Sequence, residues 1–283
     1  MKKILIPDSK KQMEIVKEKV DGYIIGINDM SVNTPYNVDL NELSNLDYDK
    51  EIFISLNKNM ENKDIEFLKD ILKELNNYPI KGVLYSDVCF VYIKDEMKLN
   101  YDLVWSHEHF TTNYQTINYW RQFGVKYTYL SSDITLKDVL KIRNNTDNKL
   151  MFNIFGYLPM FVSKRHIVRN YLNKFHLIDQ SNINYIGKEN KIYPIIDNKI
   201  GTIVYSNNIL NALSEYYTLQ SNSIDYIVFN GFNIDDSILI QVLNIVNNMS
   251  VDNVEECVDK IDRLFNNVDR GFLYQDTVSK VKK

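Results

Sequence analysis

Eight short runs of apolar, β-branched and aromatic residues recur along the chain, and most are followed by a longer segment whose apolar residues have helical spacing. Strands that alternate with helices are typical of a parallel sheet covered by helices. Because eight strand–helix units are enough to close a barrel, the alternation predicts an α/β fold of the (β/α)8 TIM-barrel type. The predicted strands span 3–6, 22–26, 51–56, 81–85, 101–106, 125–130, 149–155 and 224–229.

The segments between the runs predict an outer layer of helices. Asp8, Thr111, Thr135 and Asp235 stand where a side-chain oxygen can accept hydrogen bonds from the first turn of a helix, so each is a predicted N-cap. The predicted helices span 9–19, 38–45, 61–76, 88–97, 111–123, 134–144, 208–219 and 235–247.

An insertion over residues 160–206 interrupts the repeat after the seventh strand. Its first part is basic and predicts a helix near 163–173 that Ser163 caps. An insertion that follows a strand lies at the carboxyl ends of the barrel strands, where barrel enzymes have their active sites. The rest of the insertion predicts a small β-meander with strands at 183–187, 191–196 and 200–205.

The pattern also predicts the division of the chain into domains. We expect residues 1–250 to form one barrel domain that carries the insertion, and residues 251–283 to form a C-terminal helical extension. An amphipathic helix is predicted at 252–266. The tail that follows has a basic end, formed by Lys280, Lys282 and Lys283.

Composition narrows the classes of function. Hydrophobic residues make up 45% of the chain and charged residues 25%, which indicates a packed globular fold. The net charge of −4 argues against a uniformly basic nucleic-acid binder but allows a local basic patch. No segment reaches the ~18 apolar residues of a membrane span, and the amino-terminal apolar run is too short for a secretory signal. We therefore expect a soluble, cytoplasmic protein that does not bind a membrane.

The two cysteines, Cys89 and Cys257, fall in predicted helices, where a free thiol usually packs as a small apolar side chain. Two thiolates without neighbouring histidine pairs are too few for a four-ligand zinc or iron–sulfur site. His107 and His109 could ligate a metal or shuttle a proton, but no third ligand is evident. We therefore predict no metal and no cofactor in this chain.

Polar residues that directly follow predicted strands are the first candidates for chemistry, because the carboxyl ends of barrel strands face one shared pocket. His107, Asp87 and Tyr157 are candidate catalytic residues, and the sequence does not choose among them. Ser131 and Asp133 are candidate substrate-binding residues. The other strand-end polar residues are Asp8, Asn28, Asn57, Ser86, Glu108, His109 and Asn230.

Two familiar motifs are absent from the sequence. There is no Gly-x-Ser-x-Gly turn, which disfavours a serine hydrolase of the nucleophile-elbow kind. There is also no glycine-rich phosphate loop, which disfavours nucleotide enzymes of the P-loop and Rossmann kinds.

The basic segment of the insertion follows a turn at Gly156 and Pro159. Lys164, Arg165 and Arg169 lie in the opening turns of the predicted helix, where positive charge is unfavourable to the helix dipole. An anion held between these cations and the free amides would relieve that cost. We expect these three residues to bind phosphate or carboxylate, with a solvated basic face as the alternative.

Four motifs together resemble the collagenase-like peptidase family U32, and in particular its short bacterial branch, which is paired with a longer relative in tRNA wobble-uridine hydroxylation. The motifs are spread over most of the chain. They are Phe155-Gly156-Tyr157-Leu158-Pro159-Met160 followed by Ser163-Lys164-Arg165, Thr112-Asn113-Tyr114, Leu130-Ser131-Ser132-Asp133-Ile134-Thr135, and Gly271-Phe272-Leu273-Tyr274.

This resemblance implies a barrel fold and a role in forming 5-hydroxyuridine at the tRNA wobble position, with prephenate as the linked metabolite. It also makes Asn113 a candidate substrate-binding residue. Longer relatives carry four cysteines for an iron–sulfur cluster near the same signature, whereas this chain has Tyr157, Met160 and Val162 there. The resemblance therefore implies a cluster-free partner of a longer cysteine-bearing relative, with tRNA as the other partner. A collagenase-like peptidase and a non-catalytic barrel scaffold are the alternatives.

Overall fold

A computed structural model describes residues 1–178 and 181–275, and eight of its parallel strands close into a barrel. Each strand pairs with the next barrel strand along the chain, and the last one, β14, pairs with both β1 and β8. The predicted TIM-barrel fold is thus confirmed. The barrel strands are β1 (Lys2–Ile6), β2 (Gly22–Ile27), β4 (Glu51–Leu56), β5 (Gly82–Tyr85), β6 (Asp102–Ser106), β7 (Tyr127–Tyr129), β8 (Lys149–Gly156) and β14 (Tyr226–Asn230), and the short β3 (Asn37–Val38) pairs with β2.

Most of the predicted outer helices are present. The segment after β2 differs, because it forms a 3-10 helix over Leu40–Asn45 in place of an α-helix. The α-helices are α1 (Lys10–Ile15), α2 (Ile65–Leu75), α3 (Cys89–Met97), α4 (Tyr114–Arg121), α5 (Leu136–Arg143), α6 (Ile167–Phe175), α7 (Tyr216–Ser221), α8 (Asp236–Asn247) and α9 (Val254–Asp262).

Two of the four predicted N-caps are confirmed. Thr135 accepts from the Asp138 amide, and Asp235 accepts from the amides of the first turn of α8. The predictions for Asp8 and Thr111 are wrong. The cap of α1 is Ser9, which accepts from the Gln12 amide, because the Asp8 carboxylate instead accepts from the Asn233 amide. The cap of α4 is Asn113, because the buried Thr111 hydroxyl donates to the carbonyl of His107.

The interior of the barrel is apolar along the strands and polar at their carboxyl ends, which form the mouth of the barrel. Alternate residues of each strand point inward, so that in β6 Val104 lies in the barrel interior, whereas Leu103 and Trp105 pack against the outer helices. The same alternation brings Ser106 and Glu108 to the inner side at the carboxyl end of this strand. The apolar layer consists of Ile4, Ile6, Ile24, Phe53, Leu84, Val104, Tyr127, Met151, Tyr226 and Val228.

The insertion forms an antiparallel sheet of four strands in the order β10-β11-β12-β9. The predicted meander is confirmed as β10 (Asn184–Lys188), β11 (Lys191–Asp197) and β12 (Thr202–Tyr205). The predicted start of the basic helix is wrong, because Pro159–Ser163 is strand β9, which pairs with β12, and α6 begins only at Ile167. Ser163 ends this strand, and its hydroxyl accepts from the Arg165 amide.

The chain returns from the insertion along the end of β8. The prediction of a helix at 208–219 is wrong in its first part, because Ile209–Asn211 forms β13, which pairs antiparallel with β8. A 3-10 turn at Leu213–Glu215 then leads into α7. Pairing with an existing sheet edge outweighs the local helical pattern here.

The last described part of the chain packs on this returning strand. A 3-10 turn at Val251–Asn253 and α9 replace the single helix predicted at 252–266, and β15 (Val268–Asp269) pairs with β13. Asp262 of α9 accepts from Asn211 at 2.7 Å and pairs with Arg270 at 2.8 Å. The basic end with Lys280, Lys282 and Lys283 lies outside the described residues. Within the described residues no helix is both long and apolar enough to cross a membrane.

Candidate functional site at the barrel mouth

A cavity of about 270 Å³ opens at the carboxyl ends of the barrel strands. Its polar wall comes from strand-end residues of the barrel, and its other wall comes from strand β9 of the insertion. The insertion thus covers one side of the mouth, as the sequence predicts. The polar wall includes Asn57, Ser86, Ser106, His107, Glu108 and His109, and the insertion contributes Met160, Phe161, Val162 and Lys164.

Of the titratable side chains that line this cavity, Glu108 has the largest shift in pKa. Burial raises the pKa of its carboxyl to about 7, and the nearby charge of Asp133 acts in the same direction. A carboxyl group with that pKa is partly protonated and partly ionised near neutral pH. Glu108 can therefore donate a proton and take one back under the same conditions.

A chain of hydrogen bonds crosses the mouth beside Glu108. The Tyr129 hydroxyl donates to Asn153 Oδ1 at 2.7 Å, and Asn153 Nδ2 donates to Ser132 Oγ at 3.1 Å. Burial and the charge of Glu108 raise the pKa of Tyr129, so that this hydroxyl stays protonated at neutral pH. Tyr129 is thus held in place as a hydrogen-bond donor.

Two further polar groups lie near the same end of the barrel. Asp8 follows β1, and burial raises the pKa of its carboxyl, although the Asn233 amide donates to it. Tyr205 of β12 is fully buried and stacks on Phe232 with ring centroids 3.7 Å apart. Burial and the charges of Asp8 and Glu108 raise the pKa of its hydroxyl, which has no hydrogen-bond partner among the described residues.

The two histidines differ in their surroundings. His107 is half-buried between Trp105 and Phe110, and burial together with the charge of His109 lowers its pKa. It is therefore neutral at physiological pH and can accept a proton. His109 is exposed, and its Nδ1 lies 3.8 Å from Asp133 Oδ2. Among the described residues, no group of three or more His, Cys, Asp or Glu side chains could hold a metal ion.

The other residues predicted for the site have structural contacts. Asp87 accepts from the Cys89 amide at 3.0 Å, so it caps the start of α3. Tyr157 packs edge-to-face on Phe232, and its carbonyl accepts from Asn230. Ser131 is buried and accepts from the Asp133 amide, and Asn113 caps α4. Of the three catalytic candidates, only His107 lines the cavity.

The three predicted anion-binding cations lie on the insertion, between the end of β9 and the first turn of α6. Lys164 lines the cavity and contacts Glu61 at 2.8 Å, and this contact with Lys164, followed by that with Lys63, lowers the pKa of Glu61 to about 2. Arg165 and Arg169 are exposed, and no ion pair involves either guanidinium group within the described residues. They stand on either side of the start of α6, free to contact a ligand.

The cysteines do not fit an iron–sulfur cluster. The chain has only two, of which Cys89 is half-buried at the start of α3 and Cys257 is buried in α9. Burial and then Asp87 raise the pKa of the Cys89 thiol to about 12, which opposes the thiolate form that a metal needs. This chain alone cannot supply the four ligands of such a cluster.

Sequence reasoning missed Tyr129, Asn153 and Tyr205. All three lie inside strands, whereas the residues predicted from strand position are those that follow strands. Asn153 had a usable signal, because it is a lone amide in the apolar run of β8 and a buried amide in a strand needs a partner. Tyr205 had none, because only the folding of the insertion over the mouth brings it near Glu108.

Known proteins are similar to this chain in sequence over much of its length. The model of peptidase family U32 matches residues 9–278. The tRNA hydroxylation protein P2 of Bacillus subtilis is 23% identical over 250 residues, which cover 81% of this chain and 81% of that protein. The tRNA hydroxylation protein P of Haemophilus influenzae is 25% identical over 127 residues, which cover 44% of this chain and 27% of that protein.

A solved structure agrees at the level of the fold. The U32 peptidase Mk0906 has a TM-score of 0.51 to this chain, with 12% sequence identity, over 81% of this chain and 92% of that one. At this identity the likeness concerns the barrel and not the chemistry. The match of the family model over nearly the whole chain settles the relationship: this chain belongs to peptidase family U32.

Proposed function

We propose that this protein takes part in the 5-hydroxylation of the wobble uridine of tRNA. The observation that carries the proposal is the similarity to a tRNA hydroxylation protein over 250 residues, because it includes both the barrel and the insertion. Because a tRNA substrate is met in the cytoplasm, the proposal implies a cytoplasmic location.

The geometry of the mouth supports the binding of a base. The cavity of about 270 Å³ is large enough for a single nucleobase, and its wall offers amide, hydroxyl and carboxyl groups that can hydrogen-bond a base edge. Phe161 and Met160 add an apolar side against which a ring can pack. Lys164, Arg165 and Arg169 would contact the neighbouring phosphates, since cations on a single-strand path follow the backbone.

Glu108 is the residue that we assign to proton transfer at this site. Its carboxyl lies in the cavity wall with a pKa of about 7, and the neutral His107 stands next to it in the chain. Replacing the C5 hydrogen of uridine by a hydroxyl group is an oxidation, and protein side chains position the base and move protons without supplying the oxidant. The proposal therefore includes a further component.

That further component is, in this proposal, a longer cysteine-bearing relative with an iron–sulfur cluster, and prephenate is the linked metabolite. The two-cysteine composition of this chain supports dependence on a partner, because four thiolates are needed.

Mass spectrometry of tRNA nucleosides tests the proposal. A deletion strain should lose 5-hydroxyuridine, and the parent gene should restore it. Unchanged tRNA together with altered peptide turnover would contradict the proposal and favour the collagenase-like peptidase. Unchanged tRNA and unchanged peptide turnover would favour a scaffold.

Co-expression with the longer relative, followed by size-exclusion chromatography, tests the partnership. We expect the two chains to elute together and to restore hydroxylation only as a pair. If this chain restores hydroxylation in cells that lack every relative, the proposed dependence on a partner is wrong.

A further inference from the structure

A second hollow lies outside the barrel wall, between α3 and α4. It has a volume of about 590 Å³ and is lined mainly by aromatic rings, which are those of Trp105, His107, Phe110, Tyr119 and Trp120. We call it the aromatic groove. Ser86 and His107 line both this groove and the cavity at the mouth, so the two hollows are neighbours.

The rings of the groove are exposed to an unusual degree for the outer layer of a barrel. Phe110 is 61% exposed and Tyr119 is 54% exposed, while Trp105 and Trp120 form the buried floor. The floor rings are 4.6 Å apart, and Tyr119 lies 5.4 Å from Trp120. Exposed apolar patches of this kind usually mark a binding site.

The floor of the groove also holds a buried donor that lacks a partner. The Trp105 Nε1 atom is buried, and it has no hydrogen-bond acceptor among the described residues. Because a buried donor without an acceptor is costly, this atom favours a ligand that carries acceptors.

The charge of the groove decides which part of a nucleotide fits. None of the described residues that line it is Asp, Glu, Lys or Arg. A phosphate would find no cation there, whereas a planar uncharged ring with nitrogen or carbonyl acceptors would find aromatic faces. The exposed cations Arg165 and Arg169 are on the insertion instead.

We infer that the aromatic groove binds an unpaired nucleobase of a single-stranded RNA segment, next to the base that enters the barrel mouth. The inference rests on the proposed function for its choice of RNA. Because Ser86 and His107 line both hollows, neighbouring nucleotides of one RNA segment can occupy the two hollows. The unpartnered Trp105 donor would then bond to the edge of the stacked base.

Tryptophan fluorescence tests this directly, because the only two tryptophans of the chain are Trp105 and Trp120, and both line the groove. Titration with an unstructured uridine-rich oligoribonucleotide of about ten nucleotides should quench the emission to saturation. The double change Phe110→Ala with Tyr119→Ala should weaken binding roughly fivefold or more, because loss of a stacked base typically costs at least that factor.

Phe67→Ala is the matched control, because Phe67 is an exposed aromatic residue on α2, outside the groove. It should leave binding and quenching unchanged. Both altered residues of the double variant are exposed, and a melting curve like that of the parent shows that its fold is kept. A second variant, Trp105→Phe, keeps an aromatic ring, although a smaller one, and removes the indole N–H donor, and it should weaken binding measured by fluorescence anisotropy of labelled RNA.

Three results would overturn the inference. They are RNA binding that the double variant leaves unchanged, no quenching by RNA, and quenching by the longer relative alone, which would make the groove a protein interface. None of them depends on whether a deletion strain loses 5-hydroxyuridine, so this inference and the proposed function fail separately.

Discussion

The barrel mouth and the outer surface of the insertion both carry polar groups, but they hold them in different ways. At the mouth, Tyr129 ends strand β7 and Glu108 lies in the turn that follows β6, and burial together with nearby charges shifts the pKa values of both side chains. On the insertion, Arg165 and Arg169 stand in solvent without ion-pair partners in the described chain. We therefore assign proton transfer to the mouth and anion binding to the insertion as parts of the proposed function.

The strongest effect should be on activity at the mouth. Glu108→Gln keeps the size of the side chain but cannot exchange a proton, so we expect 5-hydroxyuridine formation to fall about 100-fold or more. Nucleoside mass spectrometry of a complemented deletion strain measures this. Glu66→Gln, at a carboxylate that is 86% exposed, is the control and should behave as the parent. Normal 5-hydroxyuridine levels with Glu108→Gln would show that Glu108 does not transfer the proton.

The junction between the two regions should give the next strongest effect. Gly156 ends β8 with φ of +107°, and an added Cβ would lie 2.1 Å from the Asn230 carbonyl oxygen. We expect Gly156→Ala to cost about 3 kcal/mol or more of stability, because strain and a backbone clash add. Denaturant unfolding measures it.

Gly187→Ala provides the matched control for that change. Gly187 lies in β10 of the insertion, and a Cβ there would have no neighbour within 4 Å. We expect its stability to stay within about 1 kcal/mol of the parent. Equal effects of the two changes would mean that the junction is not the constrained point that the geometry indicates.

A smaller effect concerns pH. The pKa of Glu108 is raised from its usual 4.5 to about 7 in the folded protein, so folding favours the protonated carboxyl. This stabilisation is complete below pH of about 4.5 and disappears as the pH rises through about 7. Between these limits the parent should lose roughly 1–3 kcal/mol relative to Glu108→Gln. Parallel stability curves for the two proteins would show that Glu108 is not shielded by the mouth.

The weakest effect on stability should be on the insertion. Arg165→Ala with Arg169→Ala should change stability by no more than about 0.5 kcal/mol, because both side chains are exposed. Affinity for tRNA should fall, and the slope of log affinity against log salt should flatten by roughly 0.7 to 0.9 for each phosphate that the variant no longer neutralises. A double variant that is clearly less stable than the parent and keeps the original salt slope would show that the two arginines stabilise the fold and do not bind phosphate.

The sequence was most informative where one pattern repeats. Eight apolar runs predicted the eight barrel strands, because burial on both faces leaves a clear signal in each run. It was least informative at the insertion, where Pro159–Ser163 and Ile209–Asn211 were predicted as a turn and helices but form strands. Each is short, and each is a strand because a distant segment offers an edge to pair with.

The site residues also were predictable where local sequence position decides their contacts, and not where a distant segment does. His107 was found because it directly follows a predicted strand, whereas Lys164 was found as a cation of the basic segment in the insertion, and both line the cavity. Asp87 also follows a strand, but its carboxylate turns to cap α3, which strand position alone does not reveal. Tyr205 lies more than ninety residues from Glu108 in the sequence, and only the fold of the insertion brings its hydroxyl within range of that charge.

The pairing of β13 with β8 bears on how such a chain can be altered. Gly156 lies opposite Leu210 in that antiparallel pair, so the insertion leaves and re-enters the barrel at one point. The entropy cost of closing a flexible loop rises only slowly with its length, by about 0.6 kcal/mol for each doubling. We therefore expect the insertion to be a replaceable module: a short turn that joins these two positions, or an insertion taken from another family member, should leave the closure of the barrel intact.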